Sequence, residues 1–208
     1  MPSRLRLTPF QVRAVAFANP RTLLSASRDA TVRVWSQTSP QPPTYSDTIA
    51  SHGSAFINSL AYVQPSATHP DGLIISGGKD AIIDVRRPGQ PPDSDAYRML
   101  LGHQGNVCAL DVWQNEKADG VWLVSGSWDA SACVWDVERG EQISTLEGHE
   151  ASVWAVLAYG EDRIITGVYQ RWKSELTMLT RNSIRMRRQV HSNIHKKWQA
   201  DQEIQRWR

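Results

Sequence analysis

A twelve-residue pattern that returns along the chain constrains its fold more than any other feature. Leu24-Ser25-Ala26-Ser27-Arg28-Asp29-Ala30-Thr31-Val32-Arg33-Val34-Trp35 recurs as Val124-Ser125-Gly126-Ser127-Trp128-Asp129-Ala130-Ser131-Ala132-Cys133-Val134-Trp135. Between them lies a third copy, Ile75-Ser76-Gly77-Gly78-Lys79-Asp80-Ala81-Ile82-Ile83-Asp84-Val85, with Arg86 where the others have Trp. Each copy is an apolar run, a tight turn led by Asp, and a second run with alternating apolar positions, which is the pattern of a β-hairpin. Asp29, Asp80 and Asp129 lie 51 and 49 residues apart. A period of that size means one supersecondary unit stacked repeatedly, since no single hairpin buries its own apolar face.

A second element precedes the hairpins. Leu101-Gly102-His103-Gln104-Gly105-Asn106-Val107 and Leu146-Glu147-Gly148-His149-Glu150-Ala151-Ser152-Val153 match one another, with Ser51-His52-Gly53 as a looser version. Gly-His, then a strand, then Ser-x-x-x-Asp, then Trp six residues after the Asp is the signature of a WD repeat. The chain resembles that family on these residues. The resemblance implies an all-β WD-repeat β-propeller, and His103, Ser125, Asp129 and Trp135 as the hydrogen-bonded chain that ties a blade's outer loop to its inner hairpin.

A Ser, a His and an Asp together also suggest nucleophilic catalysis, which needs an exposed serine beside a base and a site for the oxyanion. Here the serine sits mid-strand, the set recurs from blade to blade, and no Gly-x-Ser-x-Gly elbow is present. The set therefore reads as structural. No catalytic residue, cofactor or metal is assigned, and the chain is expected not to be an enzyme.

The expected count is about three and a half blades. In blade 1 Leu7-Thr8-Pro9-Phe10 stands in place of Gly-His, and in blade 4 the sequence becomes Val168-Tyr169-Gln170-Arg171 where an Asp-led turn is due. The Pro-rich stretches 37–48, 63–72 and 87–95 are read as surface insertions. Such a propeller is incomplete, because a ring of blades closes with four to eight units and an open one exposes unpaired strands and apolar faces. Self-association through open blade edges is therefore expected.

Charge divides the chain at the same place. Residues 168–208 carry 10 Lys and Arg against 3 Asp and Glu, whereas residues 1–167 carry 13 against 18, and every Gly and Pro precedes position 168. The domain reading is thus 1–167 as a partial propeller and 168–208 as a basic tail, either helical or disordered. Ile184, Arg187, Val190, Ile194 and Trp198 fall at near-helical spacing beside Arg185, Arg188, Lys196 and Lys197, which would suit a nucleic acid or an anionic membrane surface. The competing reading is an out-of-frame or unspliced segment; it is favoured, and nucleic-acid binding is not assigned. No run approaches the roughly 18 apolar residues of a membrane span. Two cysteines, Cys108 and Cys133, fall in strand-like runs and read as buried thiols of a reducing compartment, so a cytoplasmic or nuclear location is expected.

Order and context of the motifs narrow the resemblance. Phe56-Ile57-Asn58-Ser59, the Gly-Lys-Asp of residues 78–80, the loop 101–108, the turn 125–129 and Ala151-Ser152-Val153-Trp154 are similar to the propeller that opens the phospholipase A-2-activating protein family, also known as the ubiquitin-fusion-degradation WD-repeat proteins. This implies an adaptor that binds ubiquitin or ubiquitinated proteins, with further domains for ubiquitin and for an AAA ATPase that 208 residues leave no room for, so the ATPase link is set aside. A generic WD-repeat scaffold is the alternative. In such blades the residue before the turn Asp, and those three and five after the loop His, are expected at the rim of the channel. These are Arg28, Lys79 and Trp128, then Asn106, Cys108, Ser152 and Trp154, with Arg13, Phe56 and Asn58 by alignment of strands.

Overall fold

A computed structural model describes residues 11–36, 44–50, 52–91, 94–115, 120–159, 163–170, 173–180 and 205–206. Its described residues contain strands and no helix, arranged as four antiparallel four-stranded sheets. Blade 1 is β1 (Val12–Asn19), β2 (Thr22–Ser27), β3 (Thr31–Ser36) and β4 (Thr44–Ala50). Blade 2 is β5 (Ile57–Val63), β6 (Leu73–Gly78), β7 (Ile82–Arg86) and β8 (Arg98–Leu101). Blade 3 comprises β9 (Val107–Asn115), β10 (Gly120–Ser127), β11 (Ala132–Asp136) and β12 (Glu141–Leu146). Blade 4 comprises β13 (Val153–Tyr159), β14 (Arg163–Gln170), β15 (Lys173–Thr180) and β16 (Gln205–Arg206).

Each sheet is a meander in sequence order, and the repeat in the sequence is a repeat in register. Ser25 pairs with Val15, Ser76 with Leu60, Ser125 with Leu110 and Thr166 with Val156. All four inner strands bulge two positions from that pair, around Arg13, Asn58, Cys108 and Trp154. Asp supplies the tight turn after the second strand, and the residue following it is left-handed: Ala30, Ala81 and Ala130 have φ of 64, 66 and 63°.

The core is divided into slabs between blades. Blades 1 and 2 share a cluster that includes Leu24, Val32, Ile57 and Ile74; blades 2 and 3 share Ile75, Val85, Val107 and Leu123; blades 3 and 4 share Val124, Val134, Val153 and Ile164. Glycine enables the tightest approach. A Cβ on Gly126 would lie 2.8 Å from Val153 Cγ1 and 3.0 Å from Val156 Cγ1 on the next blade. The inner strands β1, β5, β9 and β13 contact one another in succession, and among the described residues the arc does not close into a ring.

Two sequence expectations are revised. The insertion expected at 37–48 gives way to strand from Thr44, because Thr, Tyr and Ile follow the last proline, and β4 completes blade 1 against β3. Strand also continues in the fourth blade past the point where the repeat motif is lost. The boundary expected at 167 falls inside β14, which continues to Gln170 and pairs along its whole length with β15, from Gln170 opposite Lys173 to Arg163 opposite Thr180. An antiparallel ladder needs backbone groups and β-compatible residues; it does not need the Asp at the turn. The helix expected around 184–198 lies outside the described residues.

Candidate functional site

Blade 3 shows how the sequence motif builds the rim. His103 Nδ1 lies 2.9 Å from Asp129 Oδ2 and its Nε2 lies 2.7 Å from Ser125 Oγ, while Trp135 Nε1 donates to the same Ser125 Oγ at 2.8 Å. A carboxylate only accepts, so Nδ1 carries the proton and Nε2 accepts from the serine hydroxyl. Ser125 and Trp135 are buried, as is the His103 ring, which removes this serine from any substrate in solvent. Burial lowers the affinity of His103 for a second proton, and Asp129 offsets this only in part. Burial would raise the Asp129 carboxyl, but hydrogen bonds from Ser131, the Gln104 amide and His103 more than compensate and hold it at about 2.

The other blades keep parts of this relay. His52 reaches Asp80 at 3.0 Å and Ser76 at 3.0 Å. In blade 2 the missing Trp is replaced by Arg86, whose Nε donates to Asp84 Oδ2 at 2.9 Å and whose Nη1 donates to the Ser94 carbonyl at 2.7 Å. Blade 1 has the Trp35 to Ser25 bond at 2.9 Å, and Arg33 meets Asp29 at 3.2 Å. In blade 4 Thr166 stands at the serine position and pairs with His149 at 2.9 Å, a substitution that sequence reading overlooked although it preserves the hydroxyl.

The relay fixes the turn, and the turn presents the residue before its Asp. Three backbone bonds repeat here: Arg28 N–H donates to Gln11 O, Lys79 N–H to Phe56 O and Trp128 N–H to Asn106 O, at 3.1, 2.8 and 3.0 Å. They clamp the turn residue against the one that opens the inner strand. Of the residues expected at the rim, two groups come together, Arg28 with Phe56 and Lys79, and Trp128 with Ser152 and Trp154. The Arg28 guanidinium lies 5.3 Å from the centroid of the Phe56 ring and the Lys79 ammonium 5.4 Å from it, so blade 2's aromatic ring is flanked by cations from blades 1 and 2. Trp128 of blade 3 meets Trp154 of blade 4 with centroids 5.6 Å apart, and Ser152 Oγ donates to the Trp128 carbonyl at 3.4 Å. Both indoles remain open to solvent, at 49 and 42% exposure. Arg13 is exposed, whereas Asn58 and Asn106 are half-buried.

Cys108, read from sequence both as a buried thiol and as a rim position, does not stand free on the rim. It is half-buried, and its sulfur lies 2.9 Å from the Val153 carbonyl and 3.6 Å from that of Gly126, so it joins blades 3 and 4 beneath the rim. Burial pushes both Cys108 and Cys133 up to about 12, which keeps them thiols. At the opposite end of the blades is a polar junction that sequence reading missed. His69 pairs with Glu138, Tyr97 Oη donates to Glu138 at 3.3 Å, and the guanidiniums of Arg87 and Arg98 lie 4.5 and 4.7 Å from the Tyr97 ring centroid. It has no sequence signal because its members come from three loops and the start of β8, spread over two blades.

Comparison with known proteins agrees with this geometry. The family model "WD domain, G-beta repeat" matches residues 6–36 and 95–136. Protein DOA1 of Saccharomyces cerevisiae is 36% identical over 143 residues, covering 69% of this chain and 18% of that protein. Phospholipase A-2-activating protein of Xenopus laevis is 35% identical over 133 residues, 64% of this chain and 15% of that protein. The ubiquitin fusion degradation protein 3 homolog of Caenorhabditis elegans is 31% identical over 156 residues, 71% of this chain and 16% of that protein. The chain thus spans less than a fifth of the length of these relatives. The crystal structure of the WD40 β-propeller domain of Doa1 superposes with a TM-score of 0.66 at 31% identity, covering 84% of this chain and 52% of that one. The chain carries WD40 repeats, and it is similar in sequence to DOA1 and phospholipase A-2-activating protein and in structure to the WD40 β-propeller domain of Doa1.

Proposed function

We propose that the rim of this propeller binds ubiquitin or a ubiquitinated protein, and that the chain acts as a noncatalytic adaptor in ubiquitin-dependent protein degradation. The observation that carries the reading is the rim itself: Phe56 flanked by Arg28 and Lys79, and the Trp128–Trp154 pair, exposed together at one end of the blades. Large apolar groups cost free energy when left in water, and aromatic and arginine side chains held on a rigid platform are the usual anchors of protein interfaces. The similarity to a ubiquitin fusion degradation protein supports the choice of partner. The similarity to a guanine nucleotide-binding protein β subunit of Arabidopsis thaliana, 29% identical over 150 residues, supports a general scaffold for protein partners instead.

Titrating labelled ubiquitin into the full chain and into its Trp128→Ala variant separates the two. Saturable binding by the parent, weakened at least about tenfold in the variant, is the expected result, since a central aromatic anchor contributes on the order of 2 kcal/mol. Absence of binding by a folded parent would reject ubiquitin as partner. Equal binding by the two would place it elsewhere on the molecule.

A further inference from the structure

The first 28 residues hold five arginines and neither aspartate nor glutamate, so the positive charge there has to be met from farther along the chain or from outside it. Two of these arginines stand at the rim. Arg28 is clamped beside Phe56, and Arg13 occupies the bulge of β1, between the residues paired with Ser27 and Ala26. Burial raises the Cys108 thiol of blade 3, and the charge of Arg13 opposes that rise from blade 1. Arg28 and Lys79 each precede an aspartate, yet the fold turns both carboxylates inward. Asp29 accepts from the Thr31 hydroxyl at 2.6 Å and from Arg33 at 3.2 Å, and Asp80 lies 3.0 Å from the His52 ring. Among the described residues no ion pair joins Arg13, Arg28 or Lys79 to a carboxylate.

Instead both cations are drawn to one ring. The Phe56 face attracts Arg28 and Lys79 through its quadrupole, but the ring carries no net charge and leaves their mutual repulsion standing. We infer that this cationic half of the rim is a docking site for an acidic segment of a partner protein, with carboxylates on either side of an apolar side chain that rests on Phe56. Carboxylates brought there cancel the repulsion, and Phe56 is open enough to solvent to offer an apolar foothold. Blade 3 places Trp128 at the position of Arg28 and Lys79, held by the same backbone bond, so one clamped position carries a different chemistry in each half. The inference rests on the rim being the partner-binding face. It adds that the indoles of blades 3 and 4 take an apolar surface and the cations of blades 1 and 2 a negatively charged one.

A nucleic acid and an anionic membrane are negative too, but each lies over many residues at once. Residues 1–167 carry 13 Lys and Arg against 18 Asp and Glu, so beyond the patch an extended polyanion meets net repulsion. A short acidic segment stays within about one screening length, roughly 8 Å at physiological ionic strength, and responds to the patch alone.

Fluorescence anisotropy of the labelled peptide Ac-Glu-Glu-Leu-Glu-Glu-amide with the full chain tests this. The parent should bind it, and the affinity should fall at least about tenfold between about 0.01 and about 0.15 M ionic strength as screening shortens. Arg28→Gln with Lys79→Gln should weaken binding at least about tenfold, whereas Arg28→Lys with Lys79→Arg should retain it. Arg21→Gln removes the same charge from the β1–β2 turn at the far end of blade 1 and should leave binding unchanged. Arg13→Gln takes the place of the Gln pair if that pair loses its strand circular dichroism. No binding at low ionic strength overturns the proposal, as does an equal loss in Arg21→Gln, which would report net charge alone. Binding indifferent to Arg28 and Lys79 overturns it too, since the peptide then sits on another basic segment. So does displacement of the peptide by duplex DNA or by phosphatidylserine vesicles that show the same dependence on Arg28 and Lys79. Ubiquitin titrated in parallel keeps the two readings apart: a parent that binds the peptide and not ubiquitin supports this inference, and one that binds ubiquitin and not the peptide rejects this inference alone.

Discussion

The Ser125 hydroxyl is the residue on which blade 3 turns, because it serves two buried partners at once. Ser125→Ala leaves His103 Nε2 and Trp135 Nε1 unsatisfied, and should lower the unfolding free energy by roughly 2–4 kcal/mol in urea denaturation. Acid should weaken the same relay in two stages. His103 binds its proton less readily folded than unfolded, so stability falls as pH drops below the ordinary histidine value of about 6.5. Asp129 is held below its unfolded value, so its contribution is complete above about pH 4 and is lost as pH falls toward about 2. A pH series of urea midpoints checks both, and Asp129→Asn should flatten the lower step. Ala130 pays for the turn with a left-handed backbone at φ 63°. Ala130→Gly should therefore stabilise by roughly 0.5–1 kcal/mol, read as a higher urea midpoint. The residues of the relay were legible in sequence because His, Ser, Asp and Trp recur at fixed spacing. The alanine strain was not, since it depends on φ alone.

At the scale of strands and blades, packing between sheets decides what is tolerated. Gly126 faces Val153 and Val156 of the next blade, so Gly126→Ala should destabilise by roughly 1–3 kcal/mol in the same urea assay as the blade 3–4 junction opens to admit the methyl. The hairpins led by Asp29, Asp80 and Asp129 were readable because turn chemistry and alternation coincide there. β4 was hidden behind prolines, and β15 behind the loss of the Asp turn. Both are held by ladders of backbone hydrogen bonds, which many sequences can make. Side-chain direction at the positions expected on the rim was not readable from sequence. Trp128 and Trp154 face solvent, whereas Cys108, at the position equivalent to Trp154, turns its sulfur to the Val153 carbonyl. A small polarizable side chain fits between blades where an indole does not.

The described residues form four blades with two different rims. One rim carries the cations around Phe56 and the paired indoles; the other is fastened by His69, Tyr97, Arg98 and Glu138. Amide hydrogen exchange of the full chain with and without ubiquitin tests most directly the proposal that the first rim binds it. Ubiquitin should slow exchange in peptides covering 53–58, 78–81, 104–108, 127–130 and 150–154, and leave 137–140 at the other rim unchanged. Saturating ubiquitin that protects none of the first five segments, or protects 137–140 instead, would contradict it.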